Sequence, residues 1–415
     1  MKTYRWIFLV LVAGIFVGCQ KDSEPELIGD WTRNTTSIFP GSARSHAASF
    51  VIGNMGYVVG GNNGVTSVLR NEAYEFDHEQ GDWKRMKDFQ GRARYQAVGF
   101  AINGKGYVGT GYGWVGEGKE RELQALRDFY QFDPNIIDTD GVRGVWVEVA
   151  PLPEKWGGQE GAKVRRAAIA FSLQDNESKK WYGYVGTGFT DVPDKEYLMD
   201  FWRFDSEGTT INPDDPDNPW IGRWEPVNGY RGNKRHGAAV FVIDNKAYIC
   251  SGGNPTNLND FWRFDPNASD PTLKWIYNRP DERGIIITRP MSDANPDEDY
   301  DDDYGTLPRK FGVAYVVDVN QKIGGAPDLR GHIVGGEAGY GYTNWEYNHK
   351  EDLWVQRTRF YNHLDASQSR AGMISFSFPN TGRTFVGLGT SGAQYYEDIW
   401  EFIPMIEDNV YNDRY

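Results

Sequence analysis

Cysteine is nearly missing from this chain: two occur in 415 residues, Cys19 and Cys250, so no disulfide framework holds it together. Histidine is scarce as well, with six in all. None of them falls in a His-x-His or His-Glu-x-x-His spacing, and Cys-x-x-Cys is absent, so no local metal motif stands out. Long apolar runs are missing too. The one candidate, Trp6 to Val17, is too short for an ordinary membrane span. Positive charge is in deficit, 44 − 58 = −14. That balance argues against nucleic acid or an anionic membrane surface as a general partner, although it leaves room for a local basic patch.

What the chain does have is aromatic residues, 15% of the total, and glycine, arranged in a repeat. The clearest copy runs from Arg235 to Phe264. It reads Arg-His-Gly-Ala-Ala-Val-Phe, then Lys-Ala-Tyr-Ile-Cys-Ser-Gly-Gly, then Asn-Asp-Phe-Trp-Arg-Phe, with Trp275 beyond. The pattern predicts three short strands separated by turns and a fourth opening at the Trp. An arginine stands six residues before an aromatic at Arg44, Arg94, Arg165, Arg235, Arg309 and Arg370. Second strands end in small residues, as in Tyr57-Val-Val-Gly-Gly61 and His332-Ile-Val-Gly-Gly336. Third strands open with an acid: Glu72, Asp128, Asp200, Asp260, Asp352 and Asp398. Trp83, Trp146, Trp224 and Trp275 mark the fourth, and Phe360 is the marker in copy five.

A four-stranded sheet cannot bury both faces alone, so such copies must stack, and radial closure leaves few exposed edges. The predicted fold is all-β, a six-bladed β-propeller of four-stranded blades. Copy six lacks a fourth strand, and Asp30-Trp31 matches Asp82-Trp83. The N-terminal strand around Trp31 is therefore expected to complete the last blade.

These residues resemble the kelch repeat over about residues 28–405, with 406–415 as a tail. The Lys-Gly-Tyr-Val-Gly-Thr-Gly run at Lys105 and the Asp-Phe-Trp triplets at Asp200 and Asp260 are similar to Bacteroidetes-type kelch lipoproteins. That resemblance implies a galactose oxidase-like fold label. The copper chemistry behind the label needs His and Tyr ligands and a Cys crosslinked to a Tyr; Cys250, on a strand, is the sole candidate. Copper oxidase activity is rejected, and no cofactor is expected.

Met1-Lys-Thr-Tyr-Arg5 is a basic n-region, and Phe16-Val17-Gly18-Cys19 resembles a lipobox. The expected organisation is a signal peptide at 1–18, lipidation at Cys19, and an acidic tether over 19–27. That implies an outer-membrane lipoprotein of a bacterial cell envelope, on the surface or in the periplasm, touching membrane through its lipid only. Cys250, on an apolar strand, reads as a buried inert thiol.

Connections between strands two and three, and between one copy and the next, emerge on one face. Its loops carry Tyr112, Trp114, Trp156, Tyr197, Tyr340, Tyr342, Trp345 and Tyr347, and exposed aromatics on a rigid scaffold suit binding. The acidic run Asp299 to Asp303 lacks the Gly and Glu of a calcium-binding hand and reads as a self-repelling loop.

The six repeat arginines are expected to ring the channel mouth on that face. One role is pairing with the third-strand acids; another is a carboxylate site using two or three of them, since guanidinium binds carboxylate bidentately. With Trp114, Trp156, Tyr342 and Trp345 they form the candidate ligand site, and no catalytic residue is assigned. Function is expected to be a non-catalytic binding module for a protein or glycan. Two alternatives are a sugar-acid mutarotase similar to N-acetylneuraminate epimerase, with Arg235, His236 and Glu337 cast around the carboxylate, and a structural subunit of a surface complex.

Overall fold

The computed structural model describes residues 27–33, 38–64, 68–276, 279–280, 286–287, 306–321, 324–337, 341–360 and 369–407. The leader, Cys19, most of the tether, Tyr340, the Asp299 to Asp303 run and residues 408–415 lie outside them.

Six four-stranded antiparallel sheets make up the body of the described chain. The first consists of Ala48–Ile52, Met55–Val59, Ala73–Asp77 and Asp82–Met86. The second has Val98–Ile102, Lys105–Gly109, Phe129–Ile137 and Arg143–Val149. Ile169–Gln174, Trp181–Gly186, Phe201–Thr210 and Trp220–Val227 form the third. Ala239–Ile243, Lys246–Cys250, Phe261–Phe264 and Trp275–Ile276 form the fourth. The fifth has Val313–Asp318, Leu329–Val334, Asn344–Asn348 and Leu353–Arg357. The sixth takes Ile374–Ser377, Thr384–Gly387 and Ile399–Glu407, and its outer strand is Ile28–Arg33.

Aromatic residues at alternate positions fit a pleated surface, and here they set the layers. Across the first two strands of five sheets, two rings stack: Phe50 on Tyr57, Phe100 on Tyr107, Phe171 on Tyr184, Phe241 on Tyr248 and Tyr315 on His332, with centroids 4.8–5.3 Å apart. His332 thus keeps the place of the missing Tyr. Each of these first-strand rings also reaches the following sheet, and three of them are received there by a glycine. A Cβ on Gly106 would sit 2.2 Å from Phe50, one on Gly183 2.2 Å from Phe100, and one on Gly331 2.1 Å from Phe241. The strand glycines are therefore sockets for the neighbour's ring, the close-approach role of glycine in a strand.

The fourth-strand tryptophan repeats a single construction. Its ring lies 4.4–5.1 Å from an aromatic of the third strand in all six sheets: Trp83 on Phe76, Trp146 on Phe132, Trp224 on Phe204, Trp275 on Phe264, Trp354 on Tyr347 and Trp31 on Phe402. The indole N–H of Trp146, Trp224, Trp275 and Trp31 donates to a carbonyl just past the preceding sheet, on Lys87, Ala150, Asn228 and Thr358. Trp31 does for the sixth sheet what Trp224 does for the third, across 327 residues of sequence.

Copy five corrects the sequence reading. Asp352-Leu-Trp-Val-Gln is not its third strand; Asn344–Asn348 is, carrying Trp345 and Tyr347 at alternate positions. Trp354, not Phe360, marks its fourth strand, and Asp352 sits in the turn, accepting from the Tyr347 hydroxyl at 2.7 Å. The acid led the reading astray: Thr343, not an acid, stands at the opening position here.

Candidate functional site

The repeat arginines come first, because they carry the turns that build the site. All six are buried, at 0–8% exposure. Each guanidinium bridges turns within its own sheet. Nε donates two residues back, as from Arg44 to Ser42 O (3.0 Å) and from Arg94 to Arg92 O (2.8 Å). Nη1 donates to the end of the second strand: Gly60, Thr110, Thr187, Ser251 and Gly335 carbonyls at 2.9–3.1 Å. Carboxylates finish the set, with Glu72 at 3.3 Å and Asp128, Asp200 and Asp398 at 2.6 Å, while Arg235 pairs closely with Asp260. These pairs confirm that the two kinds of connection share one face. They also hold the six guanidiniums inside the turns, occupied by carbonyls and carboxylates of their own sheets, with Arg44 Nη2 left without a hydrogen-bond partner.

Arg309 is the exception in chemistry though not in place. Among the described residues it has no carboxylate; the Leu307, Gly335, Thr343 and Thr306 carbonyls and the Thr343 hydroxyl surround it at 2.7–3.0 Å. Burial lowers its pKa to about 10. A carboxylate placed at Thr343 should raise stability by on the order of 1 kcal/mol, the scale of a charge-assisted hydrogen bond less its desolvation. Urea unfolding of Thr343→Asp checks this, the expected result being a higher midpoint.

The two residues after each arginine form the inner turn. The second of them is His46, Gln96, Ala167, Gly237, Phe311 or Gly372, each at φ 50–61°. Their backbones join head to tail: Gln96 N–H to His46 O, Ala167 to Gln96, Gly237 to Ala167, Phe311 to Gly237, Gly372 to Phe311, and His46 to Gly372, all at 2.8–3.0 Å. A second set runs from the last glycine of each second strand to the next repeat arginine's carbonyl, ending with Gly389 N–H to Arg44 O at 2.8 Å.

On this circle the side chains differ from copy to copy, and there the chemistry lies. Phe311 lies over Gly237, where a Cβ would be 3.1 Å from its ring, and His46 lies over Gly372, where a Cβ would be 2.5 Å from the imidazole. The two rings meet edge to face at 5.1 Å. Arg166 rises beside them. Its Nη1 donates to Gln96 Oε1 at 2.8 Å, and its guanidinium lies 4.6 Å from the Tyr112 ring and 4.9 Å from Phe189. It has no carboxylate partner among the described residues, and its Nε is buried without an acceptor. His236 stacks on Tyr197 at 5.0 Å and 13°, and is tilted against Phe311 at 5.3 Å. Lys310 and Glu337 complete the far side, the Glu337 amide donating to the Lys310 carbonyl at 2.7 Å.

Electrostatics separate these groups. Burial, helped by the charge of Arg166, pulls His46 down to about 4; burial, then Lys310 and Arg166, does the same for His236. Both imidazoles are therefore neutral at pH 7. Burial and a hydrogen bond with Asp191 push the Tyr112 hydroxyl up to about 12. Burial raises Glu337. The centre of the face thus presents an unneutralised guanidinium, an ammonium, neutral imidazoles and aromatic walls.

The aromatic candidates divide. Trp345 is 1% exposed and belongs to the core between sheets four and five, because it is a strand residue and not a loop one. Trp114 lies in the hairpin Tyr112–Val115 with Glu122–Ala125, under the Arg121 guanidinium at 4.6 Å, and Tyr342 lies 5.8 Å from Arg359. Trp156 is exposed at 39%, on the small hairpin Lys155–Trp156 with Gln159–Glu160. Cys250 is fully buried and its thiol is pushed up to about 12 by burial, which makes it inert. Among the described residues no cluster of His, Cys, Asp and Glu has a metal-binding arrangement.

Arg166 was visible in the sequence only as an extra cation beside a repeat arginine, and Gln96 and Phe311 were not singled out, because neither recurs. The usable signal was the reverse: side chains that vary at the two positions after a constant arginine.

The fold is that of a β-propeller. A solved structure titled "Structure of YjhT" superposes with TM-score 0.56 at 16% identity, covering 87% of this chain and 95% of that one. Curated relatives share one name, N-acetylneuraminate epimerase, and are kelch-type propellers. The protein from Salmonella typhi is 32% identical over 124 residues, 28% of this chain and 30% of that protein. Its counterpart from Salmonella typhimurium is 32% identical over 148 residues, 33% and 36% of the two chains. The Yersinia enterocolitica protein is 40% identical over 60 residues, 14% of each. The matches therefore span about a third or less of those relatives' length. No family model matches the chain.

Proposed function

We propose that the chain is a six-bladed propeller of the kelch kind, closed by strand Ile28–Arg33, which binds a carboxylated sugar at the centre of its turn face and exchanges the sugar's anomers. The observation that carries the reading is Arg166: a guanidinium held by Gln96 and two rings, without an acid of its own, beside neutral imidazoles. Carboxylate is what such a fork accepts. Sugar faces pack on aromatic rings, which Tyr112, Phe189, Tyr197 and Phe311 supply. Two head-to-tail sets of turn hydrogen bonds support the ring of six, and the shared name of the relatives supports the sugar acid.

Binding without turnover is the competing reading, and it uses the same site. Titration calorimetry and NMR exchange with N-acetylneuraminate separate the two. Wild-type protein is expected to bind and to speed anomer exchange, while Arg166→Gln weakens binding by about a hundredfold, the loss of a charge-assisted pair. Unchanged affinity in that variant would sink the site. Within the same proposal the chain is a lipoprotein of the cell envelope anchored through Cys19, as the basic n-region and Val17-Gly18-Cys19 suggest.

A further inference from the structure

We propose that His236 is the proton-transfer residue of this site, acting through Nε2. The proposal rests on the sugar-acid reading above and names the group that performs its chemistry.

Three titratable side chains stand at the mouth beside Arg166: His46, His236 and Glu337. His46 is tied down. Its Nδ1 lies 3.0 Å from the Ser45 hydroxyl and its Nε2 is buried, so neither nitrogen meets a ligand. Glu337 stands on the Lys310 side, one residue beyond the second-strand glycines. His236 differs from both. Its Nδ1 is the buried, unpartnered nitrogen while the residue as a whole is only half-buried, so Nε2 is the nitrogen left to meet a ligand. Two rings fix the imidazole plane, Tyr197 stacked at 13° and Phe311 at 47°. The backbone is fixed as well, since the His236 and Gly253 amides and carbonyls pair with each other at 3.1–3.2 Å. An imidazole so held is a positioned base and not a swinging side chain.

Anomer exchange suits a single nitrogen. The anomeric hydroxyl and the ring oxygen sit on the same carbon. Neutral Nε2 takes the hydroxyl proton, the bond from the anomeric carbon to the ring oxygen breaks, and the imidazolium returns that proton to the departing ring oxygen. A carbonyl and a free hydroxyl result. Rotation about the adjacent carbon–carbon bond presents the other carbonyl face, and the same steps reversed close the ring. Protons balance and no co-reactant is needed. Burial holds the imidazole neutral, and the charges of Lys310 and Arg166 add to the effect. An anionic sugar on Arg166 offsets that field and makes His236 a stronger base when substrate is present.

The test compares wild type, His236→Ala, Glu337→Gln and Tyr197→Leu, by NMR exchange with N-acetylneuraminate and by calorimetry with the same sugar. For His236→Ala the expected exchange rate is about a hundredfold lower, in the range general acid–base groups contribute, with affinity within about threefold of wild type. Added imidazole should restore part of the rate in His236→Ala and none in Glu337→Gln, a rescue that a merely structural role does not give. Tyr197→Leu, which frees the ring plane, is expected to lose about tenfold in rate. A His236→Ala protein that exchanges anomers at the wild-type rate, or a Glu337→Gln protein that alone loses it, overturns the assignment. Wild-type protein that binds the sugar without speeding exchange also overturns it while leaving the binding site standing. Absence of binding by wild type removes the sugar-acid reading itself.

Discussion

Replacing Trp31 by alanine is expected to lower the stability of the whole body by about 3–5 kcal/mol, as large aromatic truncations in packed cores do. The indole is 2% exposed and lies against Tyr315, Phe360 and Phe402 at 4.8–6.0 Å. It belongs to the cluster between sheets five and six, together with Val317, Val334, Met373, Val386 and Trp400. Its N–H is bonded to the Thr358 carbonyl at 3.0 Å, so truncation also leaves that buried acceptor with only the longer bond from the Asn344 amide at 3.4 Å. Because Ile28–Arg33 pairs with Ile399–Glu407 through Trp31 opposite Phe402, the damage falls on the join between the two ends of the chain. Guanidinium unfolding followed by tryptophan fluorescence should show a lower midpoint. A Trp31→Phe protein should recover most of the loss, because it keeps the ring and gives up only the hydrogen bond. An alanine variant as stable as wild type would mean that the first strand is dispensable.

The second large effect is expected at Arg235. Changing it to methionine leaves Asp260, 7% exposed at its side chain, facing a cavity without its cation, and one-sided removal of a buried ion pair costs about 3–5 kcal/mol. The Ser251 carbonyl loses its donor as well. Among the described residues the Trp262 N–H, 2.9 Å from Asp260, remains as a side-chain donor to the aspartate. The informative comparison is the double variant Arg235→Met with Asp260→Asn, which keeps an acceptor for Trp262 and removes the stranded charge. It should regain about half of the loss in urea titrations. If the double variant is as unstable as the single, the cost lies in the backbone carbonyls and not in the ion pair.

Much of this architecture was legible in the residues, because a propeller writes its packing into the sequence as repetition. The arginine, the terminal glycine, the acid and the tryptophan recur for physical reasons: a cation bridges two turns, a missing side chain admits a neighbour's ring, and an indole reaches the sheet behind it. Asp30-Trp31 could be matched to Asp82-Trp83 for the same reason, and the strand it opens pairs where that match put it. Copy five misled because Asp352 mimics the acid while Thr343 fills its place, and only the alternation of Trp345 and Tyr347 gave the strand away. The residues proposed to bind were harder. Arg166 and Phe311 are unremarkable as single letters, and their meaning comes from being brought together by turns that are 70 or more residues apart in sequence. A basic residue directly after a repeat arginine looks like its duplicate; in space, one arginine is mortar and the other faces the opening.

The seam at Trp31 has a geometric consequence. Ile28–Arg33 is the outermost strand of its sheet, the farthest of four from Ile374–Ser377, which meets the inner strands of the neighbouring sheets. The described chain therefore opens on the outer side of its sheet, three strands away from the turns that gather Arg166, Phe311 and His236, so a change at this seam tests stability without touching those side chains.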